Sequence, residues 1–308
     1  MIELRAADPS ARQVEKETAM FAKQRPIPFE PLEEAAKLAW DKAPDLCGPG
    51  CMAYHRTWSL TRLLSAGGVA PAGAGFYANG LTDARALDAP RVLISGGADT
   101  GLMALAVQSM GDAAARTEFV FADICATPGA QNTMMAAQLG LKLTTIQTDI
   151  LALDIAPVDA ILSHSFVSFL PREKRKDLVA VWADHLRPGG VALVTSSVAA
   201  KDGQARKPKD PARLDARAQR LGKLATEWGM AARDVAVFEA LLREDPMPRS
   251  LEGHWTEAQF RAAFDAAGLA LDLVAFDAAK TTAGPLNALP QKDRNTRVGF
   301  QARKLATP

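Results

Sequence analysis

The chain has 308 residues, of which 48% are hydrophobic, and a formal net charge of +1. This length fits one elaborated α/β domain or two modest ones, and the composition excludes disorder along the whole chain. A net charge near zero provides no field that selects nucleic acid or an anionic membrane, so we expect neither as a partner.

Three cysteines, a small and odd number, argue against a disulfide framework and for a reducing compartment. The first 20 residues carry charges throughout and lack the apolar segment of a signal peptide. The longest apolar runs also fall far short of the roughly 20 residues that span a bilayer. We therefore expect a cytoplasmic protein, with the choice between monomer and homodimer left open.

Residues 1–88 are predicted to form an N-terminal helical cap or lid, because no strand pattern is visible in them. Pro31–Ala43 starts with proline, has acidic residues in its first turn and has a lysine near its end, which suits a helix and its dipole. Cys51–Gly68 is predicted to be a second helix. Its aromatic and polar side chains share one face, namely Tyr54, His55 and Trp58.

Residues 89–198 alternate short apolar runs with helical stretches, which is typical of βαβ units and a doubly wound parallel sheet. The predicted strands are RVLIS (91–95), EFVFADI (118–124), LTTIQTD (143–149), VDAILSHS (158–165) and GGVALVTSS (189–197). A helical insert at 199–252 is predicted to lie above the carboxyl edge of the sheet as a substrate lid. Residues 253–308 contain a helix and a strand pair that complete the core.

Ligands of open α/β sheets lie beyond the carboxyl ends of the strands. The first turn there is SGGADTG (95–101), whose small residues let a ligand approach the backbone and whose following helix offers free N–H groups. Asp123 ends the second strand, 27 positions after Gly96 (123 minus 96), where an acid can accept both ribose hydroxyls of an adenosine. Asp149 is the last residue of the third predicted strand, where an acid can receive an adenine amino group. The sequence SHSF (163–166) ends the fourth strand, where a second ligand would meet the first.

This order of elements resembles the class I S-adenosyl-L-methionine-dependent methyltransferases. The most specific match is the LRPGG turn at 186–190, since such a turn commonly precedes the family's fifth strand. The resemblance covers 89–198 and 257–304, about half the chain, and implies a mostly parallel seven-stranded sheet whose last strand is antiparallel. It implies S-adenosyl-L-methionine as the cofactor, with these candidate binding residues: Ser95, Gly96, Gly97, Ala98, Asp99, Gly101, Asp123, Ile124, Asp149, Ile150 and Ser165.

The first turn departs from the family pattern D/E-x-G-x-G-x-G, because Ile94 stands where the acid belongs. That acid often contacts the cofactor's amino group. Asp99, or a polar group from the N-terminal zone, is a candidate replacement. A nicotinamide cofactor remains the alternative, since Asp123 suits the ribose of any adenosine.

Two histidines are candidate catalytic residues, because a hydroxyl or ammonium acceptor needs a general base. They are His164, which ends the central strand, and His55; a buried structural histidine is the alternative for His164. A thioether or neutral amine acceptor requires no base. The candidate substrate-binding residues are Tyr54, His55, Trp58, His164 and Phe166.

The CGPGC stretch invites a zinc interpretation, since Cys47, Cys51 and His55 are all metal-ligand types and the last two share a helix face. A tetrahedral site needs four ligands, and no second cluster in the sequence supplies the fourth. We therefore predict no metal, with a redox pair of cysteines as an alternative to an incidental loop.

Together these features predict methyl transfer from S-adenosyl-L-methionine to a small-molecule acceptor. The accepting group is an amine, a thioether or thiol, or a hydroxyl, and an amino acid such as methionine is among the candidates. One alternative is a nucleic-acid or protein methyltransferase, although SHSF replaces the [ND]-P-P-[YF] that marks methylation of base amino groups. Another is a catalytically inactive protein that binds the cofactor.

Overall fold

The structure is a computed structural model that describes residues 27–65, 74–203, 209–245, 252–276 and 296–305. Residues 1–26 of the predicted cap, and the glycine-rich end of the predicted helix Cys51–Gly68, lie outside these ranges. The α-helices within them are α1 (Leu32–Leu46), α2 (Pro49–Ser65), α3 (Ala74–Gly80), α4 (Thr82–Arg85), α5 (Gly101–Met110), α6 (Ala126–Leu139), α7 (Arg175–His185), α8 (Pro211–Glu227), α9 (Ala232–Arg243) and α10 (Glu257–Ala266).

The described strands form one seven-stranded sheet in the order β3-β2-β1-β4-β5-β7-β6. Their bounds are β1 (Arg91–Ser95), β2 (Glu118–Asp123), β3 (Lys142–Gln147), β4 (Val158–His164), β5 (Leu186–Val198), β6 (Leu269–Phe276) and β7 (Thr296–Lys304). Strands β1 to β5 pair in parallel, whereas β7 is antiparallel to both β5 and β6. The predicted fold class is confirmed, including the antiparallel last strand.

The strands of the parallel core alternate their side chains between two hydrophobic clusters, one on each face of the sheet. Leu93 and Val120 belong to a cluster that includes residues of α7 and α10. Val92 and Ile94 belong to the opposite cluster, with residues of α3, α5 and α6. Ile94 is therefore a core residue, and its side chain is fully buried.

The antiparallel course of β7 brings its first residues to the carboxyl edge of β4 and β5, since Arg297 pairs with Ser197. Helix α10 fixes the middle of this strand from one face, where the rings of Phe260 and Phe300 stack with centroids 4.5 Å apart. The helix begins in a capping box between Thr256 and Gln259. The sheet topology thus places a cation, Arg297, beside the ends of the parallel strands.

Four helices pack together beside the sheet. Helices α1 and α2 share a hydrophobic cluster with α8 and α9 of the insert, built around Leu60, Leu221 and Phe238. The predicted cap and the predicted insert therefore contact each other in the described ranges, although the domain limits at 88, 198 and 252 stay predictions. None of the helices in the described ranges combines the length and apolar character that a bilayer crossing requires.

Candidate active site

A cavity of about 330 Å³ opens at the carboxyl ends of β1, β2 and β4, beneath α2. This is where ligands of doubly wound sheets lie, and the volume falls in the range of small-molecule sites. The described lining residues are Cys51, Tyr54, His55, Trp58, Gly96, Gly97, Ala98, Asp99, Leu102, Asp123, Ile124, His164, Ser165, Phe166, Phe169 and Arg297.

The first turn is shaped by glycine. Gly96 has φ +71°, which favours glycine, and a Cβ there would come within 2.4 Å of the Phe166 ring. The backbone can therefore run directly beneath Phe166. The N–H of the next residue, Gly97, donates to Asp123 Oδ2 at 3.1 Å, which ties the first turn to the end of β2.

Asp123 lies at the junction of three parts of the site. Its Oδ2 accepts from Gly97, and its Oδ1 accepts from the backbone N–H of Cys125 at 2.8 Å. Burial raises the pKa of this carboxyl, while the backbone N–H of Cys125 and the nearby His55 oppose that change. Two backbone donors thus fix the orientation of a carboxylate that faces the cavity.

A buried ion cluster stands next to the first turn, where Ile94 replaces an acid. Arg62 donates to Glu30 Oε1 and Oε2 at 2.7 and 2.9 Å and to Asp99 Oδ2 at 2.7 Å. Thr100 Oγ1 also donates to Glu30, at 2.6 Å. The three charged side chains expose 5% or less of their area. Among the described residues, two carboxylates face one guanidinium here, a formal excess of one negative charge, and Asp99 lines the cavity.

On the side of the cavity away from Asp123, a chain of hydrogen bonds starts at Arg297 and runs to Tyr77. Arg297 Nη1 lies 2.7 Å from His164 Nε2, and a guanidinium can only donate. His164 Nε2 is therefore the acceptor, and Nδ1 carries the proton that it donates to Thr195 Oγ1 at 2.7 Å. Thr195 then donates to Tyr77 Oη at 3.0 Å, and Tyr77 donates to Ser163 O at 3.3 Å. Burial raises the pKa of Tyr77, so the phenol stays protonated at the end of this chain.

Ser165 is the second anchor of Arg297, whose Nη1 donates to Ser165 Oγ at 2.9 Å. The φ of Ser165 is +57°, which is uncommon for a residue other than glycine. The backbone N–H of Ser165 donates to Thr195 O at 2.7 Å, which holds this conformation. In this conformation the Ser165 hydroxyl accepts the hydrogen bond from Arg297.

Aromatic side chains form the roof of the cavity. Tyr54 lies between Trp58, with ring centroids 5.6 Å apart, and Phe169, with centroids 5.9 Å apart. Phe166 adds a further ring beside Gly96. Aromatic faces attract sulfonium and ammonium groups, so this roof suits a positively charged ligand.

Cys47, Cys51, His55 and Cys125 form a cluster whose ligand atoms all lie within 4.8 Å of one another. Burial acts to lower the pKa of His55, but contacts with Cys125 and Cys51 raise it to about 9. The hydrogen bond from Cys47 lowers the pKa of Cys125 strongly, against the effect of burial and with the help of His55. The expectation that only three ligands are available here is wrong, because Cys125 is a fourth.

The structure brings most of the predicted site residues together at the cavity wall. Those that line it are Tyr54, His55, Trp58, Gly96, Gly97, Ala98, Asp99, Asp123, Ile124, His164, Ser165 and Phe166. Four others do not line it. Ser95 accepts from Trp182 Nε1, Gly101 N donates to Asp99, Ile150 is buried in the core, and Asp149 Oδ1 caps the turn that follows β3. Their roles, like those of the lining residues, stay predictions.

Sequence reasoning missed several residues of the site. Arg297 reaches the cavity only because β7 is antiparallel, and no local pattern marks it. Arg62 and Glu30 come from the predicted cap, where an arginine in a helix and an isolated acid carry no signal of their own. Phe169 and Leu102 belong to apolar stretches that look like core. Cys51 stands out in the sequence only as a metal-ligand type, in a stretch for which no metal is predicted, and not as a residue of the cavity.

Comparisons with known proteins identify the fold. No model of a protein family matches the sequence, and no curated protein matches it. An S-adenosylmethionine-dependent methyltransferase from Clostridium acetobutylicum superposes with a TM-score of 0.50 at 10% identity, covering 80% of this chain and 96% of that one. Other matches include a geranyl diphosphate methyltransferase in complex with sinefungin (TM-score 0.47, 14% identity, 76% and 78% covered) and the [4+2]-cyclase SpnF (0.47, 14%, 76% and 81%). The superposition on the Clostridium protein, together with the strand order and the antiparallel last strand, gives this chain the fold of the class I S-adenosylmethionine-dependent methyltransferases.

Proposed function

We propose that this protein transfers a methyl group from S-adenosyl-L-methionine to a small-molecule acceptor that carries a negative charge. One observation carries the proposal. The cavity places the first turn and Asp123 on one side and the anchored guanidinium of Arg297 on the other. The two sides differ in charge, as a site for a cationic cofactor and an anionic acceptor requires.

The described residues fit the cofactor from end to end. Asp123 would accept hydrogen bonds from the ribose hydroxyls, and Ile124, whose side chain is 68% exposed, offers an apolar surface for the adenine. Gly96 and Gly97 would run along the methionine portion. The net negative charge of the cluster around Arg62 and Asp99 would attract the ammonium group and so replaces the missing acid at Ile94. When bound, the cofactor supplies an electrophilic methyl group on its sulfonium.

Arg297 is the clearest sign of the acceptor's chemistry. Among the described residues that line the cavity, it is the one arginine or lysine. His164 and Ser165 hold its Nη1, which leaves the remaining guanidinium N–H groups of the planar fork to bind a carboxylate or phosphate. An acceptor anchored in this way is oriented before the reaction, which is the main task of an enzyme whose cofactor already has a good leaving group.

Both candidate bases are engaged by other groups. His164 Nε2 accepts from Arg297, and His55 lies in the cysteine cluster. The arrangement therefore favours a nucleophile that needs no base, such as a thioether, a neutral amine or a carboxylate oxygen. Methionine combines a thioether with a carboxylate, so it remains a candidate acceptor.

The test is a transfer assay with S-adenosyl-L-methionine labelled on the methyl group. It uses a panel of amino acids, carboxylic acids and phosphorylated alcohols, each beside its uncharged amide or alcohol counterpart. Loss of a hydrogen-bonded charge costs about 1.5–3 kcal/mol, so Arg297→Ala should lower kcat/KM about 10- to 100-fold for the anionic acceptor. Cofactor affinity should change little in that variant.

Arg303→Ala is the matched control, because Arg303 lies at the far end of the same strand and pairs with Asp83. It should leave kcat/KM near the wild-type value. Equal rates for charged and uncharged acceptors would refute the role of Arg297. Transfer of label to RNA or protein in place of small molecules would favour a macromolecular substrate, and cofactor binding without any transfer would favour an inactive binder.

A further inference from the structure

Four potential metal ligands converge between the helical layer and the sheet. Cys47 follows α1, Cys51 and His55 lie one turn apart on α2, and Cys125 is the N-cap residue of α6, two positions after Asp123. Cys47 Sγ lies 2.9 Å from Cys125 Sγ and 3.4 Å from His55 Nδ1. Ligands 78 positions apart in the sequence have thus been brought to one point by the fold.

Rigid elements hold the four residues in place. The i, i+4 spacing puts Cys51 and His55 on one face of α2. Gln131 on α6 donates its amide Nε2 to Ala35 O on α1 at 2.8 Å and to Ser59 Oγ on α2 at 2.7 Å, so the three helices next to the cluster are bonded to one another. Sites built on helices keep their ligands in register better than sites on loops.

The donor set matches zinc. Three thiols and one imidazole, without a carboxylate, select a borderline-soft ion that prefers sulfur and nitrogen, and Cys₃His is a common tetrahedral set. Zn–S bonds of about 2.3 Å and Zn–N bonds of about 2.1 Å imply S···S edges near 3.8 Å and S···N edges near 3.6 Å. The distance from Cys47 to His55 already fits. Cys47 and Cys125 need to separate by about 0.9 Å, and any pair of ligand atoms as far apart as the 4.8 Å limit of the cluster would have to approach by about 1 Å.

We propose that Cys47, Cys51, His55 and Cys125 bind one zinc ion. All four positions of the tetrahedron are filled by protein ligands, so the ion is structural and has no open position for a substrate. Thr127 Oγ1, which is buried and lies 2.8 Å from Cys47 Sγ, supports that ligand from outside. The ion would join α1 and α2 to the end of β2.

This location links the ion to the cavity. Cys51 and His55 line the cavity, and the backbone N–H of Cys125 holds Asp123 Oδ1. Loss of the ion should therefore loosen the wall that carries the proposed ribose contact. This consequence rests on the proposed function, whereas metal binding itself does not.

The experiment measures metal in the full-length protein, expressed in zinc-supplemented medium and purified under reducing conditions without chelator. Elemental analysis should find one zinc per chain. Replacement by cobalt should give the visible absorption of a tetrahedral ion and a thiolate-to-cobalt charge-transfer band. Cys125→Ser and Cys47→Ser should lose most of the zinc, and extraction of zinc from the wild type should lower its Tm.

His185→Asn is the matched control, since His185 Nδ1 lies 2.8 Å from Val181 O in α7 and no ligand of the cluster is near it in the sequence. It should retain one zinc per chain. Wild-type protein that binds neither zinc nor cobalt would overturn the proposal. A Cys47–Cys125 disulfide would also overturn it, if mass spectrometry finds that bond in a second preparation purified without reductant and kept in zinc-containing buffer. If a cysteine variant does not fold, the cobalt spectrum of the wild type still decides the matter. These readouts use no cofactor, so failure to bind S-adenosyl-L-methionine would leave the metal result standing.

Discussion

Arg62→Met should be among the most destabilising single substitutions in this chain. Arg62 makes hydrogen bonds of 2.7 to 2.9 Å to two carboxylates, those of Glu30 and Asp99, and the side chains involved are 95% or more buried. Removing the guanidinium leaves two carboxylates together without a counter-ion. Breaking a buried ion pair by deleting one partner costs about 3–5 kcal/mol, and we expect that loss in the free energy of unfolding.

Equilibrium urea unfolding, followed by tryptophan fluorescence, measures this loss. Lys37→Met is the matched control, because Lys37 and Glu33 are also 2.7 Å apart but expose more than half of each side chain. Exposed pairs of this kind contribute little, so the control should unfold near the wild-type midpoint. Equal midpoints for Arg62→Met and Lys37→Met would refute the reasoning. Glu30→Gln combined with Arg62→Met should recover part of the stability, since one buried charge is then removed.

Three smaller predictions follow from other contacts. Gly96→Ala should lower the free energy of unfolding in urea by at least about 1–2 kcal/mol, because the positive φ alone costs that much and the new Cβ also clashes with the Phe166 ring. Trp182→Phe removes the hydrogen bond to Ser95 Oγ inside the core. As a single substitution it should lower the free energy of unfolding by about 1–3 kcal/mol in the same measurement. Asp149→Ala should weaken cofactor binding in calorimetry if the Asp149 carboxylate contacts the adenine, as the sequence resemblance implies. An unchanged affinity would leave that carboxylate only its role of capping the turn after β3.

Most of the fold could be predicted because its signals are local. Each strand of the parallel core is a short apolar run bounded by turns, and each following helix has its own period, so the alternation that defines the sheet is visible in the sequence. The prediction of an antiparallel last strand came from the family resemblance. The short helices α3 and α4 carried too few residues for a recognisable period.

The site residues at strand ends could be predicted from the sequence, whereas contacts between residues far apart in the sequence could not. Asp123 and Gly96 could be found because both lie at strand ends, a position with a physical meaning. Arg297 contacts His164, which is 133 positions away in the sequence, and Cys125 contacts Cys47, which is 78 positions away. The residues around Arg297 and Cys125 in the sequence do not indicate these partners. The missed fourth ligand is the clearest case, since counting ligands in one stretch cannot reveal Cys125, which lies in a distant part of the sequence just after β2.

Calorimetric titration with S-adenosyl-L-methionine tests the central claim most directly. The wild type should bind one equivalent, and Asp123→Ala should bind about 100-fold more weakly, because a carboxylate that accepts two ribose hydroxyls is worth about 3 kcal/mol. Asp112→Ala, in the exposed turn at the opposite edge of the sheet, should bind like the wild type. Absence of binding at millimolar cofactor, or an unchanged affinity for Asp123→Ala with its fold intact by circular dichroism, would contradict the account.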